Sequence, residues 1–329
     1  MKMMDFNPTR KEVSSGMSLA SLSNQYELDT SASNLDKLFH RFVVFIDATP
    51  NTIRTYKTSL KQWFIYMKKQ GIRNPSPDDV RNYRAYLKES GKKPTTIQNY
   101  IIAVKQFFKW TEAEGLYPNV AKYVKGAKLS RNFKKDYLTS RQAKKVLDGI
   151  DRSTLIGKRN YSMLILMLTM GLRTIEVSRA NIEDIRTSGD ATVLYVQGKG
   201  HTEKDAMVRM PSVVEDAIRE YLAVRKASNL KEPLFTSTSH NSTGKRLTTR
   251  TIRGTVKRCF INAGFDSPKL TAHSTRHTTA TLSLLNGATL QETQELLRHK
   301  NMQTTEIYAH NIEAGKNPAS NDVADAIFN

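Results

Sequence analysis

The sequence predicts a mainly α-helical protein with one small antiparallel β-sheet, divided into two domains. Three observations carry this expectation. At 329 residues the chain exceeds what a single hydrophobic core comfortably serves, so two folded units are expected. Apolar residues recur at helical spacing along most of the chain, with Ser, Thr, Asn or Pro opening the segments and Gly closing several of them. One stretch departs from that pattern: ATVLYVQGKGHTEKDAMVRMP at 191–211 alternates in the manner of two strands around a Gly-rich, Lys-bearing turn.

Residues 1–32, rich in Ser, Asn and Thr without periodicity, read as a disordered tail. Four helical segments follow within 33–117: LDKLFHRFVVFIDA, NTIRTYKTSLKQWFIYMKKQG, SPDDVRNYRAYLKESG and KPTTIQNYIIAVKQFFKWTEAEG, the last three closing at Gly71, Gly91 and Gly115. Residues 118–136 carry a basic side chain every three or so positions and read as a linker. The second domain, 137–312, opens with the capped helix TSRQAKKVLDGI and continues with an apolar helix over 158–171 that ends at Gly171. After the hairpin, helical patterns occupy 212–228, 248–263, 274–286 and 290–298, with a short one at Thr304–His310. Residues 313–329 form a tail with Val323, Ile327 and Phe328 on one helical face.

Charge narrows the function. Lys and Arg total 51 against 31 acidic residues, a formal charge of +20, and this points to a polyanionic partner, nucleic acid first. Arg54, Lys57, Lys61 and Lys105 in the first domain, with Lys122, Lys125, Lys128 and Arg131 in the linker, are the candidate phosphate contacts. A membrane role is disfavoured, because the longest apolar run, YSMLILMLTMGL at 161–172, falls well short of the roughly 20 residues that span a bilayer. The amino terminus lacks the continuous apolar stretch of a secretory signal, and Cys259 stands alone, so a reducing cytoplasm is expected. Cys259 itself reads as a small buried hydrophobe.

The chemistry centres on HSTRH at 273–277. Two imidazoles four residues apart could be a metal pair or the floor of an anion site. No Asp, Glu or Cys in that turn offers a third ligand, and Arg276 would repel a divalent cation; His277 is expected to be a packed side chain or one that supports the site from behind its reacting groups. A phosphodiester suits the inventory better. Arg173, Lys199, His273, Arg276 and His299 supply cations and donors, and guanidiniums can fork onto non-bridging oxygens and stabilise charge on phosphorus without a metal. Tyr308, nine residues beyond His299, is the candidate nucleophile.

At this point the second domain resembles the catalytic domain of the tyrosine recombinases, the phage-integrase family. GLRTIEVSRA at 171–180 is similar to the family's first-arginine motif, VQGKG to its hairpin lysine, and HSTRHTTATLSLLNGATLQETQELLRHKNMQTTEIYAH at 273–310 to its His-x-x-Arg, His and Tyr motifs. Residues 33–117 resemble the family's four-helix, SAM-like core-binding domain by pattern only. Two departures stand out: Thr275 where the family usually has a hydrophobic residue, and Arg298 where it usually has Gly.

The resemblance implies that Tyr308 attacks a DNA phosphate to give a 3′-phosphotyrosyl link, with Arg173 and Arg276 clamping the phosphate and His299 donating to it. Lys199 would protonate the leaving 5′-oxygen, His273 would position or accept the tyrosine proton, and Glu176 would support the site. The surrounding cations are expected to favour the phenolate. The reaction would need no metal, cofactor or ATP. Its partners would be double-stranded DNA sites held in a C-shaped clamp and a homotetramer cutting in pairs, with the carboxy-terminal tail docking on a neighbouring protomer. A type IB topoisomerase-like activity and a non-catalytic DNA-binding protein are the alternatives.

Overall fold

The computed structural model describes residues 32–129, 136–198 and 201–328. The tail expected over 1–32 lies outside the described residues except for Ala32, and so do Arg131 and Lys199. Two compact units divide the chain, Met1–Arg131 and Asn132–Asn329.

The first unit is a helical bundle: α1 (Ala32–Ile46), α2 (Pro50–Gln70), α3 (Pro77–Glu89) and α4 (Pro94–Ala113). Proline opens each of the last three, where its missing N–H costs nothing. The Thr49 side chain caps α2, and Ser76 forms a reciprocal capping box with Asp79 at the start of α3. Gly71, with φ 67°, ends α2 in the left-handed conformation that a C-cap glycine supplies. The core is largely aromatic, built on Phe42, Trp63, Tyr83, Phe107, Phe108 and Trp110. Trp63 and Tyr83 meet edge-on with ring centroids 5.0 Å apart, an arrangement favoured by the ring quadrupoles.

The expected linker is not all linker. Within it, Ala121 and Val124 are buried in the bundle core beside Tyr117 of the first domain, while Lys105 Nζ donates to the Val124 carbonyl at 3.2 Å and Arg84 to that of Lys125 at 2.6 Å. The spacing of Ala121 and Val124 carried this signal, but the density of lysines around them obscured it.

The second unit comprises α5 (Ser140–Asp148), α6 (Leu155–Met170), α7 (Thr174–Arg179), β1 (Ile185–Ser188), β2 (Ala191–Val196), β3 (Ala206–Arg209), α8 (Ser212–Arg225), α9 (Thr249–Asn262), α10 (Ala272–Leu285), α11 (Leu290–Leu297), α12 (Gln303–Lys316) and α13 (Ala319–Phe328). Helix α6 is apolar on nearly all sides and buried accordingly, packed among α5, α8 and α10. The sheet is antiparallel in the order β1-β2-β3, with Ile185 opposite Leu194 and Val193 opposite Arg209. The sequence predicts only the β2–β3 pair; β1 adds to it through the tight turn at Gly189, φ 57°.

Helix α10 is unusual in being both polar and buried. Ser274, Thr275, Arg276, His277, Thr278, Thr279 and Thr281 are all inside. Their hydroxyls find partners locally and across the fold: Thr278 and Thr279 donate to the carbonyls four residues back, and Thr278 also accepts the Leu138 N–H at 2.9 Å. Cys259 is half-buried, and desolvation pushes its thiol pKa up, as expected of a packing residue. At the carboxy end, α13 buries none of its side chains. No described helix is long and apolar enough to cross a membrane.

Candidate active site

The site begins where α6 ends. Gly171, with φ +59°, turns the chain so that Leu172 enters the core and Arg173 becomes the N-cap of α7. The Arg173 backbone N–H donates to Glu176 Oε2 and its Nη1 to Oε1, both at 2.8 Å. Glu176 is 1 % exposed, which excludes an ordinary surface role. Its second oxygen also receives Arg298 Nη2 at 2.7 Å, from the C-cap of α11. Burial pushes the carboxyl pKa up, but Arg298, the Arg173 N–H and the Arg173 guanidinium hold it below its usual value.

Arg276 projects from α10 and is 1 % exposed. It donates Nη1 to the Gly171 carbonyl at 2.6 Å and Nη2 to that of Leu297. Burial, then the neighbouring Arg173 and Arg298, lower its pKa to about 9, so it remains a cation at neutral pH. The chain reversals at 171 and 297–298 therefore tie Arg173, Arg276 and Arg298 into one cluster.

Tyr308 reaches the same cluster from α12. It is 5 % exposed, and its hydroxyl lies 2.7 Å from His277 Nδ1. The His299 ring lies parallel to the phenol at 6.5 Å, with its Nδ1 2.9 Å from Thr305 Oγ1. His273, the one exposed side chain in the first turn of α10, sets its ring edge-on to His277 at 4.6 Å.

One electrostatic expectation is corrected. Burial outweighs the favourable fields of Arg276 and Arg173 and pushes the Tyr308 pKa up to about 12. Without DNA the cations do not make the phenol more acidic; they only reduce the penalty of desolvation. His299 is driven the other way, to about 3, by burial and then by Arg276, Arg173, Arg298 and His273. Its imidazole is neutral at pH 7.

Arg173, Glu176, Arg276, His299, Tyr308 and His273 thus converge, whereas Lys199 lies outside the described residues. The near end of its turn is held by Arg179 Nη1 donating to the Gly198 carbonyl at 3.0 Å. Arg54, Lys57, Lys61, Lys122, Lys125 and Lys128 are exposed on the first unit. Arg54 borders a shallow cleft between α2 and α4 together with Thr55, Thr58, Thr96, Asn99 and Tyr100. Lys105 is half-buried and its ammonium is engaged with Val124. Two residues here carry no assigned role in the sequence reading: His277, expected to pack or to support the site, and Arg298, noted only as a departure from pattern. The second imidazole of HSTRH was the available signal for the first of these.

Residues 136–314 match the model of the phage integrase family, and residues 44–115 match the phage integrase N-terminal SAM-like domain. The chain belongs to the phage integrase family. It is accordingly a tyrosine recombinase, an enzyme of site-specific DNA recombination. Among similar curated proteins, tyrosine recombinase XerC of Thermodesulfovibrio yellowstonii is 29 % identical over 264 residues, covering 79 % of this chain and 85 % of that one. Tyrosine recombinase XerD of Halalkalibacterium halodurans is 28 % identical over 290 residues, covering 86 % and 94 %. Two solved structures share the fold. The XerH recombinase in a post-cleavage complex with difH DNA has a TM-score of 0.71 at 24 % identity, covering 88 % of this chain and 84 % of that one. The lambda integrase tetramer on a Holliday junction has a TM-score of 0.64 at 16 % identity, covering 83 % and 76 %.

Proposed function

We propose that this recombinase cleaves and rejoins duplex DNA through a 3′-phosphotyrosyl intermediate formed by Tyr308. The observation that carries the reading is the convergence of one buried phenol with an imidazole at 2.7 Å and with the arginine cluster that shifts its pKa. The Tyr308 oxygen bonds to phosphorus as the bond to the 5′-oxygen breaks. The phenol proton passes to an imidazole; the family resemblance gives this role to His273, and the short contact offers it equally to His277. Lys199 protonates the departing 5′-oxygen. Arg173, Arg276 and His299 hold the phosphate and stabilise charge on its oxygens. A neutral His299 still has one N–H to donate, and with Nδ1 accepting from Thr305 Oγ1 at 2.9 Å that donor is Nε2. Glu176 holds Arg173 in place. Rejoining reverses these steps with a 5′-hydroxyl from another strand, and because the phosphodiester energy is kept in the protein–DNA bond, neither ATP nor a metal is consumed.

Assembly follows the same reading: a homotetramer on two DNA sites, with α13 docking on a neighbouring protomer through Val323, Ile327 and Phe328, which are 58 %, 67 % and 84 % exposed. The lambda integrase that shares this fold is a tetramer on a Holliday junction, which accords with the tetramer. A cytoplasmic location accords with a reaction on DNA.

The test is covalent capture. A pool of random-sequence duplexes nicked at staggered positions is incubated with the protein and denatured, and DNA bound to protein is sequenced. Wild type is expected to retain a defined sequence through a phosphotyrosyl bond, with chelator present and nucleotide absent, and Tyr308→Phe to retain none. Binding without any adduct in wild type would refute the reading.

A further inference from the structure

Arg298 occupies a position that its backbone makes costly. It caps α11 with φ 54° and ψ 47°, the left-handed region that a Cβ disfavours and glycine enters freely. Its guanidinium nevertheless folds inward: the side chain is only 11 % exposed, and Nε is buried without a hydrogen-bond partner. Glycine or asparagine would end the helix with less strain and no orphaned donor. The cap alone does not account for an arginine; its contacts do.

Nη2 donates to Glu176 Oε2 at 2.7 Å, and Nη1 to the Leu296 carbonyl at 2.6 Å. Arg173 is thereby left with a single guanidinium bond to the carboxylate, Nη1 to Oε1. Its Nη2 has a long contact, 3.4 Å, to the Arg298 carbonyl, and the side chain stays 30 % exposed. An arginine facing a carboxylate alone tends to close into a forked, two-bond pair that uses both nitrogens of one edge. Oε2, the oxygen such a pair would need, already accepts the Arg173 backbone N–H at 2.8 Å, and Arg298 Nη2 takes the remaining place on it at 2.7 Å.

We propose that Arg298 is a positioning residue of the recombination reaction: by occupying the second oxygen of Glu176 it prevents Arg173 from closing onto that carboxylate and keeps one edge of the Arg173 guanidinium available to the scissile phosphate. This rests on the phosphotyrosyl reading above. Arg298 acts through Glu176 and Arg173. Since it also adds a positive charge beside Glu176, the acid side of the reaction responds as well. The charged and titratable groups around that carboxylate are Arg173 at the start of α7, Arg276 on α10, and Arg298 and His299 after α11.

Arg298→Met and Arg298→Lys separate this role from packing, because both keep a long stem and the same backbone strain, and only Lys retains a cationic donor for Glu176. On the duplex recovered by wild-type capture, Arg298→Met should form adduct at saturating DNA more slowly by up to about a hundredfold, the scale of a misplaced catalytic contact. Its Kd for that duplex should stay within about twofold, since many phosphates set the affinity. Its rate should also fall off at a higher pH on the acid side, because Glu176 has lost a cation and takes up a proton sooner. Arg298→Lys should recover most of the rate, and Arg298→Gly should resemble Arg298→Met while being at least as stable. Equal rates and acid limbs for wild type and Arg298→Met would overturn the inference alone, as would equal losses in Met and Lys. Absence of adduct with wild type would overturn it together with the reading it rests on.

Discussion

At the scale of single residues, burial decides the behaviour of the site before DNA arrives. Tyr308, pushed to about 12, stays a phenol at any ordinary pH. At pH 10, where an unperturbed tyrosine is about half ionised, the phenolate absorbance of wild type and Tyr308→Phe should therefore be the same. His299 carries a linked consequence. Its folded pKa of about 3 lies below its ordinary 6.5, so the unfolded chain takes up the proton first as pH falls. Stability is complete above pH 6.5 and declines from there toward pH 3. Urea unfolding at pH 7 and pH 5 should show a smaller loss for His299→Asn than for wild type. Arg276 ties two chain reversals together and, on the proposed mechanism, also holds the phosphate. Arg276→Ala strips the Leu297 carbonyl of its Arg276 bond and leaves that of Gly171 only a long 3.5 Å contact from Arg298; it should cost about 3 kcal/mol of stability, while slowing adduct formation about a hundredfold as a lost transition-state donor. Stability unchanged in denaturant would contradict the first half, and an unchanged rate the second.

At the scale of elements, what the sequence revealed depends on whether the signal was local. Helices α2 to α4 were legible because proline, capping side chains and closing glycines bound them in the chain itself. Helix α6 was legible from its apolar run. Strand β1 was not, since four residues with one partly buried position hardly alternate, and they become a strand only by pairing with β2. The site divides the same way. Arg173, Arg276, His299 and Tyr308 were legible from motif order, yet nothing along the chain joins residue 298 to residue 176. That pairing exists only after α11 is laid beside α7. Gly171 tests the element scale directly. An added Cβ would lie 2.6 Å from Leu297 Cδ2 and 3.4 Å from Thr279 Cγ2, at a φ of +59°. Gly171→Ala should therefore lower stability by more than about 1 kcal/mol, and by displacing a carbonyl that anchors Arg276 it should slow adduct formation as well. A neutral effect on both would mean that the α6–α7 turn does not set the arginine geometry.

At the scale of the whole molecule, a formal charge of +20 makes association with duplex DNA strongly salt-dependent, because each neutralised phosphate releases counterions. Binding measured between low and physiological salt should lose affinity by orders of magnitude, and replacing Arg54 and Lys57 on α2 by Gln should make the slope shallower. A slope indifferent to both substitutions would remove that face of the first unit from the DNA contact. Lys105 should contribute little to the slope, its ammonium being engaged with the Val124 carbonyl.

Helix α13 is ten residues long and buries none of its side chains. So short a helix draws little stability from its own hydrogen bonds in water. Its winding thus becomes a gauge of company: far-ultraviolet ellipticity per residue should rise with protein concentration or on saturation with a cognate duplex, and a chain lacking residues 318–329 should lose that increment.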